Sequence, residues 1–354
     1  MSNLFLKYKI KGLDLKNRIV LPPMCQYSVE KKDWIATEWH YTHYVSRAIG
    51  GTGLIIVEMT DVEPDGRISD YDLGLWCDEQ IEPLKKIVDE CHKYGAKVAI
   101  QIAHAGRKAE DAEVPVAPSA IPYDDTYKTP RELTTYEVKE MVEKFRVAVR
   151  RAVKAGFDAI EIHGAHGYLI HQFHSPLTNK RDDEYGKDLT KFGSEIIKAA
   201  KNEIPKDMPL IMRLSAVEYV EDGYGIETGI KLAKAYKEAG ADIFHISSGG
   251  EGAMVSTRTP GDHAGYQVPF ARAIKENVHT DVIAVGKLDE PELANSVIGN
   301  EEADLVAIGR AMFRNPYWAF EAAIKLNKKT QVPKQYMRGF PKNIKEEWVM
   351  KWEV

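Results

Sequence analysis

Cysteine is scarce. Only Cys25, Cys77 and Cys91 occur in 354 residues. Three widely spaced thiols make no disulfide framework and suit a reducing compartment. Long apolar runs are missing too. The longest are strand-length, far below the roughly 18 residues a membrane span needs. The N-terminal MSNLFLKYKIKG has neither a sustained apolar stretch nor a small-residue cleavage site. No basic run appears, and 48 basic against 53 acidic side chains leave a net charge of -5. That balance offers nucleic acid nothing to bind. A cytoplasmic protein with neither a membrane nor a nucleic-acid partner is expected. A dinucleotide fingerprint is absent as well. No GxGxxG follows an apolar run, and the GTG at 51–53 precedes one, the wrong place for such a site.

What is present is a repeat of short apolar runs and longer amphipathic stretches. Eight runs read as strands: Ile19–Pro23, Gly53–Glu58, Lys97–Ile102, Ala159–His163, Pro209–Leu214, Asp242–Ser247, Val282–Gly286 and Leu305–Gly309. Near-continuous apolar content in five or six residues suits parallel strands covered on both faces. Between them, Asp78–Tyr94, Thr134–Ala155, Gly225–Ala239 and Pro291–Ile298 carry helical spacing, each followed by glycine. Thr134 with Glu137 reads as a capping start. Eight strand–helix units in one 44% hydrophobic chain predict an α/β fold, a TIM (β/α)8 barrel, rather than a doubly wound sheet. Two long insertions, 103–133 and 163–191, follow strands, where barrels build their sites.

Polar residues gather at the C-terminal ends of these runs. Pro22, Pro23, Met24, Cys25, Gln26 and Tyr27 follow the first, and Gln101 then Lys108 belong to the third. His163 ends the fourth, Arg213 nears the end of the fifth, and the sixth runs into SSGG. In a barrel all face one mouth, where the fold places its chemistry. Singly, each reads equally well as a structural residue. Gly286 and Gly309 just beyond the last two strands, with Arg310, suit a phosphate approached by backbone N–H groups. HGAHGYLIHQF holds His163, His166 and His171 at a spacing that also fits a metal. A zinc hydrolase would add Asp242 or Glu161 as ligands, but it leaves PPMC, Gln101, Arg213 and the glycine strand ends without a role.

The stretches KNRIVLPPMCQYS, RAIGGTGLIIVE, QIAHAGRKA, HGAHGYLIHQFHSPLTNKRDDEYG, SSGG, GYQV, ADLVAIGRAMFRNPYW and QYMRGF carry a resemblance to the Old Yellow Enzyme family of flavin-dependent ene-reductases. The likeness is to its bacterial NADPH dehydrogenase branch with an active-site cysteine. It implies one FMN-binding barrel domain over 1–340 and an extension at 341–354. It implies FMN as cofactor and NADPH or NADH as reductant. Enones, quinones, nitro compounds and maleimides are the implied substrates, in a homodimer or homotetramer.

Residue by residue, the resemblance implies that Pro22, Pro23, Met24, Cys25 and Met59 line the flavin. Gln101 would meet its pyrimidine edge, Arg213 the region near N1, and Gly286, Gly309 and Arg310 the phosphate. His163 and His166 would hold the substrate carbonyl oxygen, and Tyr168 would donate a proton. Tyr27 and Lys108 would line the pocket, and Arg338 would reach a partner subunit's site. No metal is implied. Chemistry supports this set: two imidazole N–H donors polarise an enone, a phenol protonates its α-carbon, and a guanidinium stabilises an anionic reduced ring. Cys25 reads as a core residue, a nucleophile or a flavin-side modulator, and the resemblance favours the last. Cys77, Cys91 and His171 read as structural and His263 as a solvated loop residue.

The sequence departs from the pattern at three places. Met59 stands where the family carries a small residue. YGKDLTKF lacks the family's arginines, and Lys191 would retain part of one of their contacts. The segment 341–354, with Trp348, Val349, Met350, Trp352 and Val354, extends past the usual end as a short amphipathic segment or a frayed tail. A non-catalytic flavin-binding scaffold would have lost the histidine pair and Tyr168, and both remain. No cysteine follows Cys91, so the iron–sulfur motif of larger flavin barrels is missing.

Overall fold

The computed structural model describes residues 3–252 and 263–348. Eight parallel strands close on themselves: Ile19–Leu21, Leu54–Asp61, Lys97–Ala103, Ala159–Gly164, Leu210–Ser215, Ile243–Ser247, Asp281–Ala284 and Leu305–Ala307. Closure is direct, because the first strand pairs with both the second and the eighth. Every predicted strand is present. The first, seventh and eighth stop short of their predicted ends, before the prolines and glycines that follow. Proline cannot donate to the ladder, and glycine gives way to loop there.

Helices cover the outside. Thr135–Lys154 begins at the expected box, with the Glu137 N–H donating to Thr134 Oγ1 and the Thr134 N–H donating to the Glu137 carboxylate. Ile226–Ala239 ends at Gly240, whose φ of 123° suits glycine alone. The large apolar cluster lies between these helices and the outward faces of the strands.

The inward faces differ. At the N-terminal end, Val20, Leu54, Ile56, Ala99, Ala159, Ile211, Ile243, Ile283 and Leu305 fill the barrel, and Leu13 and Leu15 plug it from below. Those two come from an antiparallel hairpin, Tyr8–Ile10 with Leu13–Leu15. One step higher the alternation of the strands brings in Gln101, Glu161, Arg213 and His245, all buried. The interior is therefore apolar below and polar above.

The second strand breaks the alternation. Its register with the third shifts between Val57 and Met59, a β-bulge. Leu54 and Ile56 face inward below the bulge; above it Met59 pairs with Gln101 and Asp61 with Ala103. The extra residue is Glu58. It accepts from the Gln26 N–H at 3.1 Å and the Tyr44 hydroxyl at 2.7 Å, so it anchors the loop that follows the first strand.

The C-terminal extension contributes a short strand. Lys345–Trp348 pairs with Thr330–Pro333, and the Trp348 indole N–H donates to the Lys93 carbonyl at 2.7 Å. Val349, Met350, Trp352 and Val354 lie outside the described residues. No helix among the described residues is long and apolar enough to cross a membrane.

Candidate active site

The C-terminal ends of the strands form one mouth above the polar layer. Glu161 organises that layer. It accepts from Gln101 Nε2 at 2.7 Å and from His245 Nδ1 at 2.8 Å, and both its partners are buried. Arg213 stands beside them with little protein to hold. Its Nη1 makes one long contact of 3.5 Å to the Pro23 carbonyl, and its buried Nε has no partner among the described residues. Burial lowers its pKa while the Glu161 carboxylate raises it. A guanidinium stays protonated under such pressure. The mouth therefore contains a buried cation with unused donors.

His163 and His166 meet at right angles with ring centroids 5.3 Å apart, and the Tyr168 ring lies 5.0 Å from His163. Burial, then Arg213, pushes both imidazoles well below their usual range, so both are neutral. The Ala165 N–H donates to His163 Nδ1 at 3.3 Å, which leaves the His163 proton on Nε2 as a free donor. His166 Nε2 lies 2.7 Å from Ser247 Oγ. The direction of that one proton decides which nitrogen of His166 donates elsewhere. When Ser247 donates, Nδ1–H is left free. Gln267 favours that arrangement, since its Oε1 already accepts from Ser248 at 2.6 Å, and the single Ser247 proton has a shorter path to His166 at 2.7 Å than to Gln267 at 3.2 Å.

Tyr168 keeps its proton. Burial, then Cys25 and Tyr27, pushes its pKa well above the usual phenol value. Cys25 is partly exposed, and burial followed by Glu58, Asp72 and Asp61 raises its thiol well above the ordinary range. A protonated thiol without an activating base is a poor nucleophile. Lys108 donates to the carbonyls of His166 and Gly250, each at 2.8 Å, and its ammonium sits 5.3 Å from the Tyr168 ring. Burial lowers its pKa to about 8. It ties two site loops together. Tyr27 and His166 both hold left-handed backbone, φ 49° and 60°. Non-glycine residues adopt that conformation rarely, and mostly where the surroundings enforce it.

Gly286 and Gly309 lie beyond the last two strands, with Arg310 exposed beside them. Gly286 has φ 127°, and a Cβ there would lie 3.0 Å from Gln267 Nε2. Gly309 faces Met24 and Pro22. Arg338 is not brought to this mouth. It lies in the turn Lys334–Gly339, whose flank packs through Phe340 on Phe320 and through Tyr336 on Tyr317. Phe320 in turn lies against Gly51, at the N-terminal end of the second strand.

His171 is bound into a separate buried network. Its Nδ1 accepts from the Gly167 N–H at 2.9 Å, and its Nε2 faces Glu218 and Tyr224. His263 is exposed. Among the described residues no cluster of three or more His, Cys, Asp or Glu side chains is placed to hold a metal ion.

A family model described as the NADH:flavin oxidoreductase / NADH oxidase family matches residues 3–329. The chain belongs to this family. It is the Old Yellow Enzyme family whose motifs the sequence carries. The NADPH dehydrogenase of Listeria innocua is 50% identical over 343 residues, 96% of this chain and 100% of that protein. That of Geobacillus thermodenitrificans is 46% identical over 340 residues, 95% of this chain and 98% of its own. Morphinone reductase in complex with tetrahydroNAD superposes with a TM-score of 0.79 at 26% identity, covering 98% of this chain and 95% of that one. A 2-naphthoyl-CoA reductase gives 0.85 at 26% identity over 91% of this chain, but the match spans only 52% of that larger protein.

FMN suits what this family member presents. The unpartnered Arg213 Nε is a ready donor for an anionic ring edge, and Gly286, at φ 127° and close against Gln267, is a strand end that tolerates no side chain.

Proposed function

We propose that the chain reduces the activated C=C bond of α,β-unsaturated carbonyl compounds, with FMN at the barrel mouth and NADPH or NADH as reductant. The observation that carries this reading is a neutral His163 with Nε2–H free, beside His166 and a protonated Tyr168. Bound FMN supplies the hydride chemistry. Pro22, Pro23, Met24, Cys25 and Met59 would flank it, Gln101 and Arg213 would meet its pyrimidine side, and Gly286, Gly309 and Arg310 its phosphate. His163 and His166 hold the substrate carbonyl oxygen and draw electron density from the β-carbon. Tyr168 gives its proton to the α-carbon. Tyr27 packs beside Cys25 at the outer lip, and Lys108 fixes the His166 loop. Quinones, nitroalkenes and maleimides present the same polarised alkene.

Arg338, exposed and remote from its own mouth, serves a neighbouring subunit in a homodimer or homotetramer. The test is direct. Purified protein should be yellow, and its flavin band should bleach with NADPH under anaerobic conditions and return on adding an enone. Protein that takes up no FMN, or a reduced band that no activated alkene reoxidises, overturns the reading.

A further inference from the structure

His171 takes part in no step of the reading above, yet it touches the turn that carries two of the groups that do. His166, Gly167 and Tyr168 are consecutive. Bringing them into one pocket puts His166 at φ 60° and Gly167 at φ 72°. Left-handed backbone at a non-glycine residue persists only where its surroundings over-determine it. Hydrogen bonds do so here. The His166 N–H donates to Ser215 Oγ at 3.1 Å, and its carbonyl accepts from Lys108. The Gly167 carbonyl accepts from Gln172 Nε2 at 2.8 Å, and the Gly167 N–H donates to His171 Nδ1 at 2.9 Å.

His171 and Gln172 belong to the short helix Leu169–His174, which starts directly after the turn. The turn is therefore held by side chains of the helix it leads into. His171 Nδ1 accepts a backbone proton, so the imidazole carries its own proton on Nε2. That N–H faces Glu218 Oε1 at 3.2 Å, and Glu218 Oε2 accepts from the Tyr224 N–H at 2.8 Å. His171 and Glu218 are both 0% exposed. A buried carboxyl group accepting from Nε2 aims the ring and makes Nδ1 a better acceptor. The Tyr224 hydroxyl, 3.1 Å from the same Nε2, donates to the Ser215 carbonyl at 2.7 Å. The segment after the fifth strand thus steadies both His171 and the strand end whose Oγ holds His166.

We propose that His171, aimed by Glu218, is a positioning residue for the turn from His166 to Tyr168. It sets the separation between the imidazole that holds the substrate oxygen and the phenol that delivers the proton. The inference rests on the ene-reductase reading and adds two residues to its machinery. Without the bond to Gly167 the turn relaxes toward ordinary backbone, and a displacement of about 1 Å between reacting groups costs about 100-fold in rate.

The two nitrogens of His171 can be tested separately. Asparagine places its amide oxygen near the position of Nδ1 and keeps the acceptor for Gly167. Glutamine places its amide nitrogen near Nε2 and keeps the donor to Glu218. Wild type, His171→Asn and His171→Gln are each loaded with FMN, reduced with dithionite and mixed anaerobically with cyclohexenone in a stopped-flow spectrometer. Reoxidation by O2, which needs no polarised carbonyl, is the control. His171→Gln should slow alkene reoxidation about 100-fold and weaken the phenol charge-transfer complex about tenfold, with O2 reoxidation and Tm unchanged. His171→Asn should keep most of the alkene rate and melt about 1–4 °C lower, having lost the bond to Glu218. Alkene reoxidation of His171→Gln at the wild-type rate overturns the proposal, as does equal slowing in both variants, the mark of a role in folding alone. Where His171→Gln fails to fold, His171→Asn decides: slowed alkene reoxidation at an unchanged O2 rate overturns the proposal. Reduced wild-type enzyme that cyclohexenone does not reoxidise overturns the ene-reductase reading instead.

Discussion

Replacing Glu161 tests whether the polar layer is a built device. The carboxylate is fully buried, accepts from Gln101 and His245, and is the counter-charge that raises the Arg213 pKa. Glu161→Leu strands two donors and leaves a buried guanidinium uncompensated. Removing one partner of a buried charge arrangement costs about 3–5 kcal/mol. For 354 residues at about 2.1 cal/mol/K each, the unfolding entropy is roughly 0.7 kcal/mol/K. Each kcal/mol then moves Tm by about 1.3 °C, and Glu161→Leu should lower it by about 4–7 °C. Glu161→Gln keeps one acceptor oxygen and loses the charge, so about 1–3 kcal/mol is expected, or about 1–4 °C. The assay is thermal unfolding of the FMN-loaded enzyme, followed by circular dichroism and by flavin release. A shift below about 1 °C for Glu161→Leu would refute the claim that Glu161 holds the layer together.

Three further perturbations probe other parts. Gly286→Ala forces a Cβ onto a backbone at φ 127° and to 3.0 Å from Gln267; FMN affinity should fall about tenfold or more, and equal affinity by fluorescence titration counts against a phosphate role for that strand end. Lys108→Met keeps the stem but loses the bonds to the His166 and Gly250 carbonyls; phenol binding, read from its long-wavelength charge-transfer band, should weaken about tenfold, and an unchanged band rules out the tie. Burial pushes the Glu63 carboxyl up, but hydrogen bonds from His104 and Lys144 outweigh it and hold the pKa at about 2. A carboxyl depressed in the fold stabilises above its unfolded value of about 4.3, and that stability is lost as pH falls through about 2. Glu63→Gln should therefore melt lower than wild type at neutral pH, with the deficit shrinking from about pH 4 toward 2; a deficit independent of pH refutes the assignment.

Strand count, strand order and the shared mouth were legible because apolar runs and helix stops recur with a fixed rhythm. Glu161 and His245 were legible in principle. AIEIH and DIFHIS alternate, so each places its acid or imidazole on the same face as the site residue two positions on. Alternation misleads in the second strand. Counting in twos from Leu54 brings Glu58 inward and turns Met59 and Asp61 outward, the reverse of what the bulge produces. Nothing local marks the bulge, since it is set by pairing with a strand some forty residues away. The plugging hairpin was missed for another reason: two three-residue strands are too short for any period to show. Arg338 could be placed only by resemblance, because its own chain gives it no site to face.

The plug under the barrel has a kinetic consequence. With Leu13 and Leu15 sealing the N-terminal end, the described residues leave the mouth as the way into the barrel. On the proposed reading, nicotinamide and alkene queue for the same space, each leaving before the other arrives. Such traffic gives a double-displacement rate law, with parallel lines in double-reciprocal plots and each reactant inhibiting at high concentration by occupying the wrong half of the cycle. Turnover in the cell would follow the ratio of reductant to alkene as well as the amount of either.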